Sequence, residues 1–315
     1  MSKDQPVAGQ LRRREISKVT ALTNPLSGHG SAVEAAQTAI ARLRHRGVEV
    51  VEIIGDDAED ARYLVSAALE KGTDAVVVTG GDGVISNALQ VLAGTDVPLG
   101  IIPGGTGNDL AREFGIPTKD PEAAADIVID GWTETIDLGR IRDDKGVDKW
   151  FGTVAVTGFD ALVNDRGNRM RWPHGRLRYY IAMVAELSQL RLLPFRLVLD
   201  GTKEIQADIT VAAFGNTRRY GGGLLICPNA DRTDGLLDIT MAHSDSRTKQ
   251  VRLIATLMKG THVVELDEVS TARAKSIHVE CPGINVYADG DFACLLPAEI
   301  YAVPAALQIL RSNHG

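Results

Sequence analysis

The feature that most constrains this chain is an alternation of two hydrophobic periods across its first 130 residues. Short β-branched runs read as strands: Val19 to Thr23, Val48 to Ile54, Asp74 to Thr79 and Leu99 to Ile102. Between them, apolar residues recur every three or four positions. Ser31 to Arg46 carries Val33, Ala36, Ile40 and Leu43 and stops at Gly47. Glu59 to Lys71 stops at Gly72, and Val84 to Leu92 is a third helical stretch. Strands alternating with helices predict βαβ units and a mostly parallel sheet covered on both faces.

Near Trp132 the pattern changes to β-rich segments separated by turn residues: Glu134 to Leu138, Trp150 to Thr157, Phe195 to Asp200, Ala207 to Phe214, Gly235 to Ala242, Ser276 to Cys281 and Ile284 to Ala288. Helical periods interrupt them at Leu177 to Leu190 and near Val251 to Met258. This half reads as an antiparallel β-sandwich. The expected division is 1–132 and 133–299, with the end of the chain (300–315) able to return to the first domain.

Composition removes several classes. With 315 residues, 44% of them hydrophobic, the chain buries a full core without disulfides, and disorder is excluded. A net charge of −7 argues against a nucleic-acid partner. Three scattered cysteines suit a reducing cytoplasm. Met1 to Val19 lacks the apolar stretch of a signal peptide, and no apolar run nears the ~20 residues of a membrane span. The expected setting is cytoplasmic, or peripheral on the inner membrane face.

Three polar or glycine-rich turns follow strands of the first half. They are Asn24-Pro25-Leu26-Ser27-Gly28, Gly80-Gly81-Asp82-Gly83, and Gly104-Gly105-Thr106-Gly107-Asn108-Asp109. Ligands of open parallel sheets bind beyond the carboxyl ends of the strands, and backbone N–H groups in such turns suit phosphate oxygens. Singly, each turn also reads as a tight connection, with Thr106, Asn108 or Asp109 capping a helix. Neither a G-x-x-x-x-G-K-[ST] nor a Rossmann G-x-G-x-x-G is present.

In combination, order and spacing, these turns resemble the signatures of the diacylglycerol kinase catalytic domain, whose family includes sphingosine, ceramide and soluble bacterial lipid kinases. The resemblance spans nearly the whole chain. It implies an α/β nucleotide-binding domain similar to NAD kinase and phosphofructokinase, followed by an antiparallel β-sandwich domain for the lipid. It also implies that Asn24 to Gly28, Gly80 to Ser86 (through Val84 and Ile85), Thr106, Asn108 and Asp109 hold ATP. Cys227 to Leu236 resembles the family's P-x-A-x-x-x-D-G, which implies Asp234 as a Mg²⁺ ligand with Asp231 and Leu236 adding oxygens. Asp289-Gly290-Asp291 resembles Asp-Gly-Glu, which implies Asp291 as the catalytic base, with Asp82 acting on the metal through water.

The chain departs from the family at three places. Val84 replaces a threonine, Ser86-Asn87 replaces Asn-Glu, and Asp291 is one methylene shorter than glutamate. Asp234-Gly235 and Asp289-Gly290 each also read as hairpin turns between apolar runs. The basic, aromatic stretch from Arg166 to Tyr180, with Arg169, Arg171, Trp172 and Arg176, reads either as a solvated helix flank or as a contact with an anionic membrane. The function implied is ATP- and Mg²⁺-dependent phosphorylation of diacylglycerol to phosphatidic acid in phospholipid biosynthesis, in a cleft between the domains. Open alternatives are another lipid alcohol, an NAD kinase-like activity, and a nucleotide-binding sensor. A homodimer is compatible with the family.

Overall fold

Two units divide the chain, Met1–Leu138 with Pro304–Gly315, and Gly139–Val303. The computed structural model describes residues 7–23, 31–158, 192–244 and 246–313. The turn at Asn24 to Gly28, the helix expected from Leu177 to Leu190 and the basic stretch from Arg166 to Tyr180 lie outside the described residues.

In the first unit, β1 (Leu11–Arg13), β2 (Lys18–Thr23), α1 (Ser31–His45), β3 (Glu49–Ile54), α2 (Ala58–Lys71), β4 (Ala75–Gly80), α3 (Asp82–Leu92), β5 (Leu99–Pro103), α4 (Asp109–Glu113) and α5 (Pro121–Asp130) follow in order. Strands β3, β2, β4 and β5 run parallel in that spatial order. Every residue of β4 and β5 is buried, which explains their uninterrupted apolar runs. The helices start where their sequences supply caps. The Asp57 carboxylate accepts from Glu59 N and Asp60 N, and Asp120 accepts from Ala123 N ahead of Pro121.

Strand β6 (Trp132–Arg142) carries the chain from the first unit to the second, and the last strand, Ala298–Leu310, carries it back. Its end pairs parallel with β5, Ile309 opposite Leu99.

The second unit contains β7 (Asp148–Phe151), β8 (Val154–Gly158), β9 (Leu193–Leu199), β10 (Lys203–Ile209), β11 (Val211–Gly215), β12 (Leu237–Ala242), α6 (Arg247–Leu257), α7 (His262–Glu265), β13 (Val269–Ala274), β14 (Ser276–Glu280), β15 (Asn285–Ala288) and β16 (Asp291–Leu295). An antiparallel sheet in the order β13-β12-β11-β8-β15-β16 faces the antiparallel strands β10, β9 and β14. Phe195, Leu197, Phe214, Ile239 and Ile277 fill the core between them. The fold is thus α/β with a parallel sheet in one unit and an antiparallel sandwich in the other. No helix among the described residues is long and apolar enough to cross a membrane.

Two apolar runs that read as single strands are each split between the two sheets. Trp150 to Thr157 breaks at Gly152-Thr153, and Ala207 to Phe214 breaks at Thr210, whose buried hydroxyl donates to Ser244 O at 2.6 Å. Apolar residues continue on both sides of each break, with Phe151 and Val154 buried in one run and Ile209 and Ala212 in the other, so the apolar pattern carries no mark of the switch.

Helix α5 ends at Gly131, left-handed at φ 69°, whose carbonyl accepts from Arg14 N. A Cβ here would collide with Arg14 O. Gly131→Ala is therefore expected to destabilise the protein by about 2–4 kcal/mol, combining a left-handed alanine with a backbone clash. Thermal or urea unfolding measures it.

Candidate functional site

Register within the parallel sheet brings the ends of β2, β4 and β5 side by side. Thr23 lies opposite Thr79, and Gly80 opposite Pro103. The turns after β4 and β5 therefore touch. Gly104 N donates to Gly80 O at 2.9 Å. A Cβ on Gly81 would stand 3.2 Å from Gly105 Cα; one on Gly105 would overlap Gly81 Cα and reach 3.0 Å from Asn108 Oδ1. Only glycine permits this backbone-on-backbone contact.

Polar side chains lock the pair. Asn108, left-handed and buried, accepts from Gly105 N through Oδ1 and donates from Nδ2 to Gly105 O at 2.8 Å. The Asp82 carboxylate accepts from Asp109 N at 2.8 Å, tying the second turn to the third, and Arg112 Nε donates to Gly107 O at 2.9 Å. Gly81, at the N-cap of α3, makes no side-chain cap hydrogen bond. This is the arrangement in which a helix N-terminus receives phosphate oxygens. Gly83 is half-buried beside it, and Thr106 is exposed at the tip of the third turn. Val84, Ile85 and Ser86 are buried in α3. Val84 thus contributes packing where the family has a hydroxyl.

In the second unit, Asp289 and Gly290 are the two central residues of the β15–β16 hairpin, at φ 52° and 87°. Positive φ at both positions is the type I′ pattern. Asp289 is more than a turn residue. Its buried carboxylate accepts from Gly152 N at 2.9 Å, Thr153 N at 2.8 Å and Thr153 Oγ1 at 2.5 Å. Burial raises its pKa, and these three donors oppose the rise. The same Gly152-Thr153 segment accepts through its carbonyls from Asn216 and Thr217. Asp291 follows the turn with its side chain at the surface, yet surrounding protein displaces enough water to raise its pKa, against the pull of Lys149. Lys149 Nζ is itself fixed, donating to Phe292 O at 3.0 Å.

A second acidic group surrounds the segment from Asp231 to Asp238. Asp231 accepts from Thr233 N and Oγ1, and Asp234 accepts from Leu236 N at 3.0 Å. These are local side-chain turns. Asp234-Gly235 forms no two-residue hairpin, since the loop continues to β12. Arg273 on β13 bridges Asp234 and Asp238, the latter at 3.0 Å. Burial first, and the Asp231 charge second, push Asp238 up to about 6. Asp231, Asp234 and Asp238 carry carboxylate oxygens, the donor type that a hard divalent cation retaining several waters prefers. They do not form a closed cage, for no three His, Cys, Asp or Glu side chains among the described residues converge on one point.

Sequence reasoning missed Asp238, Arg273, Thr153 and Lys149. Arg273 faces Asp238 only through the β12–β13 register, and Thr153 reaches Asp289 only because a long run breaks there. No short spacing signals either contact.

Comparison with known proteins gives a consistent picture. Residues 18–141 match the Diacylglycerol kinase catalytic domain, and residues 153–311 match the YegS C-terminal NAD kinase beta sandwich-like domain. A protein of Mycobacterium tuberculosis named Diacylglycerol kinase is 80% identical, covering 98% of this chain and 99% of its own length. In fold, the chain is similar to the crystal structure of a putative diacylglycerol kinase from Bacillus anthracis, with TM-score 0.79 and 22% identity, covering 96% of this chain and 99% of that one. It is more distantly similar to yeast NADH kinase, with TM-score 0.51 and 13% identity, covering 98% and 89% of the two chains.

The Asp289 cradle makes a prediction. In Asp289→Asn an amide N–H₂ replaces one carboxylate oxygen, and the accepted Gly152 and Thr153 bonds cannot all survive. A loss of about 2–4 kcal/mol in unfolding free energy is expected from a buried charged acceptor set. An unfolding midpoint equal to that of the parent protein would contradict the cradle.

Proposed function

This chain belongs to the diacylglycerol kinase family of lipid kinases, and from that premise we propose that it transfers the γ-phosphoryl group of ATP to the free hydroxyl of diacylglycerol, with Mg²⁺, giving phosphatidic acid. The first unit holds the triphosphate and the second holds the lipid alcohol. The observation that carries the reading is the locked pair of glycine turns at the head of α3, whose backbone N–H groups meet the charge of the phosphates. Phosphoryl transfer needs little covalent chemistry from a protein. It needs positioning and charge stabilisation.

Within that scheme each side chain has a task. The glycine contact lets the backbone approach the phosphates, while Asn108 and Asp82 fix the shape of the loops by bonding within them. Thr106, exposed between them, and Asn24 to Gly28 complete the nucleotide contacts. Asp291 accepts the proton of the glycerol hydroxyl as the oxygen attacks phosphorus in line, and its raised pKa places it closer to neutrality than an ordinary aspartate. Lys149 beside it works against that rise and favours the ionised carboxylate. Asp231, Asp234 and the Leu236 carbonyl would hold Mg²⁺. The bound ion supplies neutralisation of phosphate charge. The protein acts at the cytoplasmic membrane surface, where its substrate resides.

Three measurements test this. Asp291→Asn is expected to retain the fold and lower kcat by about 10²- to 10⁴-fold on diacylglycerol, the usual contribution of a general base. A kcat within about threefold of the parent assigns the proton to another group. Because the base must be ionised, kcat/KM falls as pH drops through the raised Asp291 pKa; Lys149→Gln removes the lowering influence and moves that acid limb to higher pH. A limb that stays in place contradicts the Lys149 role. Finally, Asp234→Asn is expected to raise the Mg²⁺ concentration for half-maximal rate, and an unchanged metal titration removes Asp234 from the ligands.

A further inference from the structure

Helix α6 and the turn after it, Arg247 to Thr261, contain no acidic residue in a chain of net charge −7, yet hold Arg247, Lys249, Arg252 and Lys259; exposed Glu265 and Asp267 follow only at the end of α7. Helix α6 is two-faced. Leu253 and Leu257 pack against a cluster that includes Val156, Ala213 and Tyr287 on the antiparallel sheet. Lys249, Arg252 and Ala255, at three-residue spacing, are exposed. On either side of the turn into α7 stand two exposed apolar side chains, Met258 at 62% and Val264 at 88%.

This exposure is not that of a loose end. Lys259 N donates to Thr256 O at 3.0 Å and Thr261 N to Thr256 O at 3.1 Å, closing the turn. Buried His262 donates from Nε2 to Ile226 O at 3.1 Å, and Leu266 is buried just beyond α7. The turn is therefore pinned on both flanks while Met258 and Val264 point outward. The cations are also oriented. Arg252 donates to Glu265 O at 3.4 Å, Lys249 lies 4.0 Å from Glu268, and Lys259 makes no ion pair among the described residues.

We infer that the α6–α7 hairpin docks on an anionic lipid bilayer, Met258 and Val264 entering the interface and Lys249, Arg252 and Lys259 facing the headgroups. Two isolated apolar side chains are too few for a stable protein–protein patch, which needs about 800 Å² per partner. A few apolar groups with cations on the neighbouring helix are what a peripheral membrane contact requires, since the apolar atoms leave water and the cations meet anionic headgroups. The proposal rests on the lipid-kinase reading, because it gives that reading a place to meet its substrate.

The test uses the full chain and vesicles of phosphatidylcholine with or without phosphatidylserine. Met258→Ser/Val264→Ser is expected to sediment with the phosphatidylserine vesicles about tenfold less. Lys249→Gln/Arg252→Gln/Lys259→Gln is expected to lose the preference for phosphatidylserine and its salt dependence. Both variants should phosphorylate a water-soluble short-chain diacylglycerol at the parent rate while losing rate on long-chain diacylglycerol in vesicles. Parent-like sedimentation of either variant overturns the docking surface. So does a change of oligomeric state in ultracentrifugation with vesicle binding intact, which would make this a self-association face. If the parent protein phosphorylates neither substrate but sediments as described, the kinase reading fails and the docking surface stands.

Discussion

The nucleotide site proposed for the first unit depends on a contact in which no side chain takes part: the backbone of Gly81 lying against the backbone of Gly105. Parallel pairing of β4 with β5 sets their ends level, and hydrogen-bonded strands bring the two following turns within reach. A methyl group at either position would wedge them apart. With none there, the third turn packs against the N-terminus of α3 and is held by Asn108 and by the Asp82–Asp109 bond. In the proposed reading, loops fixed beforehand in this way need no rearrangement when phosphate charge arrives, which suits phosphoryl transfer.

The second unit reaches the same end with a buried charge. Removing the Asp289 carboxylate from water is costly, and three donors from Gly152 and Thr153 offset that cost. The result is a hairpin whose turn is anchored to the sheet, with Asp291 emerging from it beside Lys149. In the proposed reading, Asp289 fixes the position from which Asp291 acts as base. The acidic segment at Asp231, Asp234 and Asp238 is different in kind. Arg273 bridges two of its carboxylates, and burial first, with the Asp231 charge second, raises the proton affinity of Asp238.

Much of the architecture was legible because burial and period coincide. A strand buried on both faces, such as Ala75-Val76-Val77-Val78, is a continuous apolar run, and helices α1 and α2 carry their spacing and their glycine stops in plain view. The antiparallel half was less legible. Trp150 to Thr157 and Ala207 to Phe214 look like single strands, although each passes from one sheet to the other. Alternation reports which residues are buried, not which sheet buries them. At the site, glycine turns and Asp-Gly pairs stand out because their backbone needs are local. The Asp289–Thr153 and Asp238–Arg273 contacts do not, since they exist only once strands distant in sequence are in register.

The account stands or falls on where the phosphoryl group goes. The most direct measurement offers the full chain γ-labelled ATP with Mg²⁺, and diacylglycerol and NAD together as competing acceptors. The account predicts label in phosphatidic acid. Label in the dinucleotide, or ATP bound with label transferred to no lipid, would contradict it.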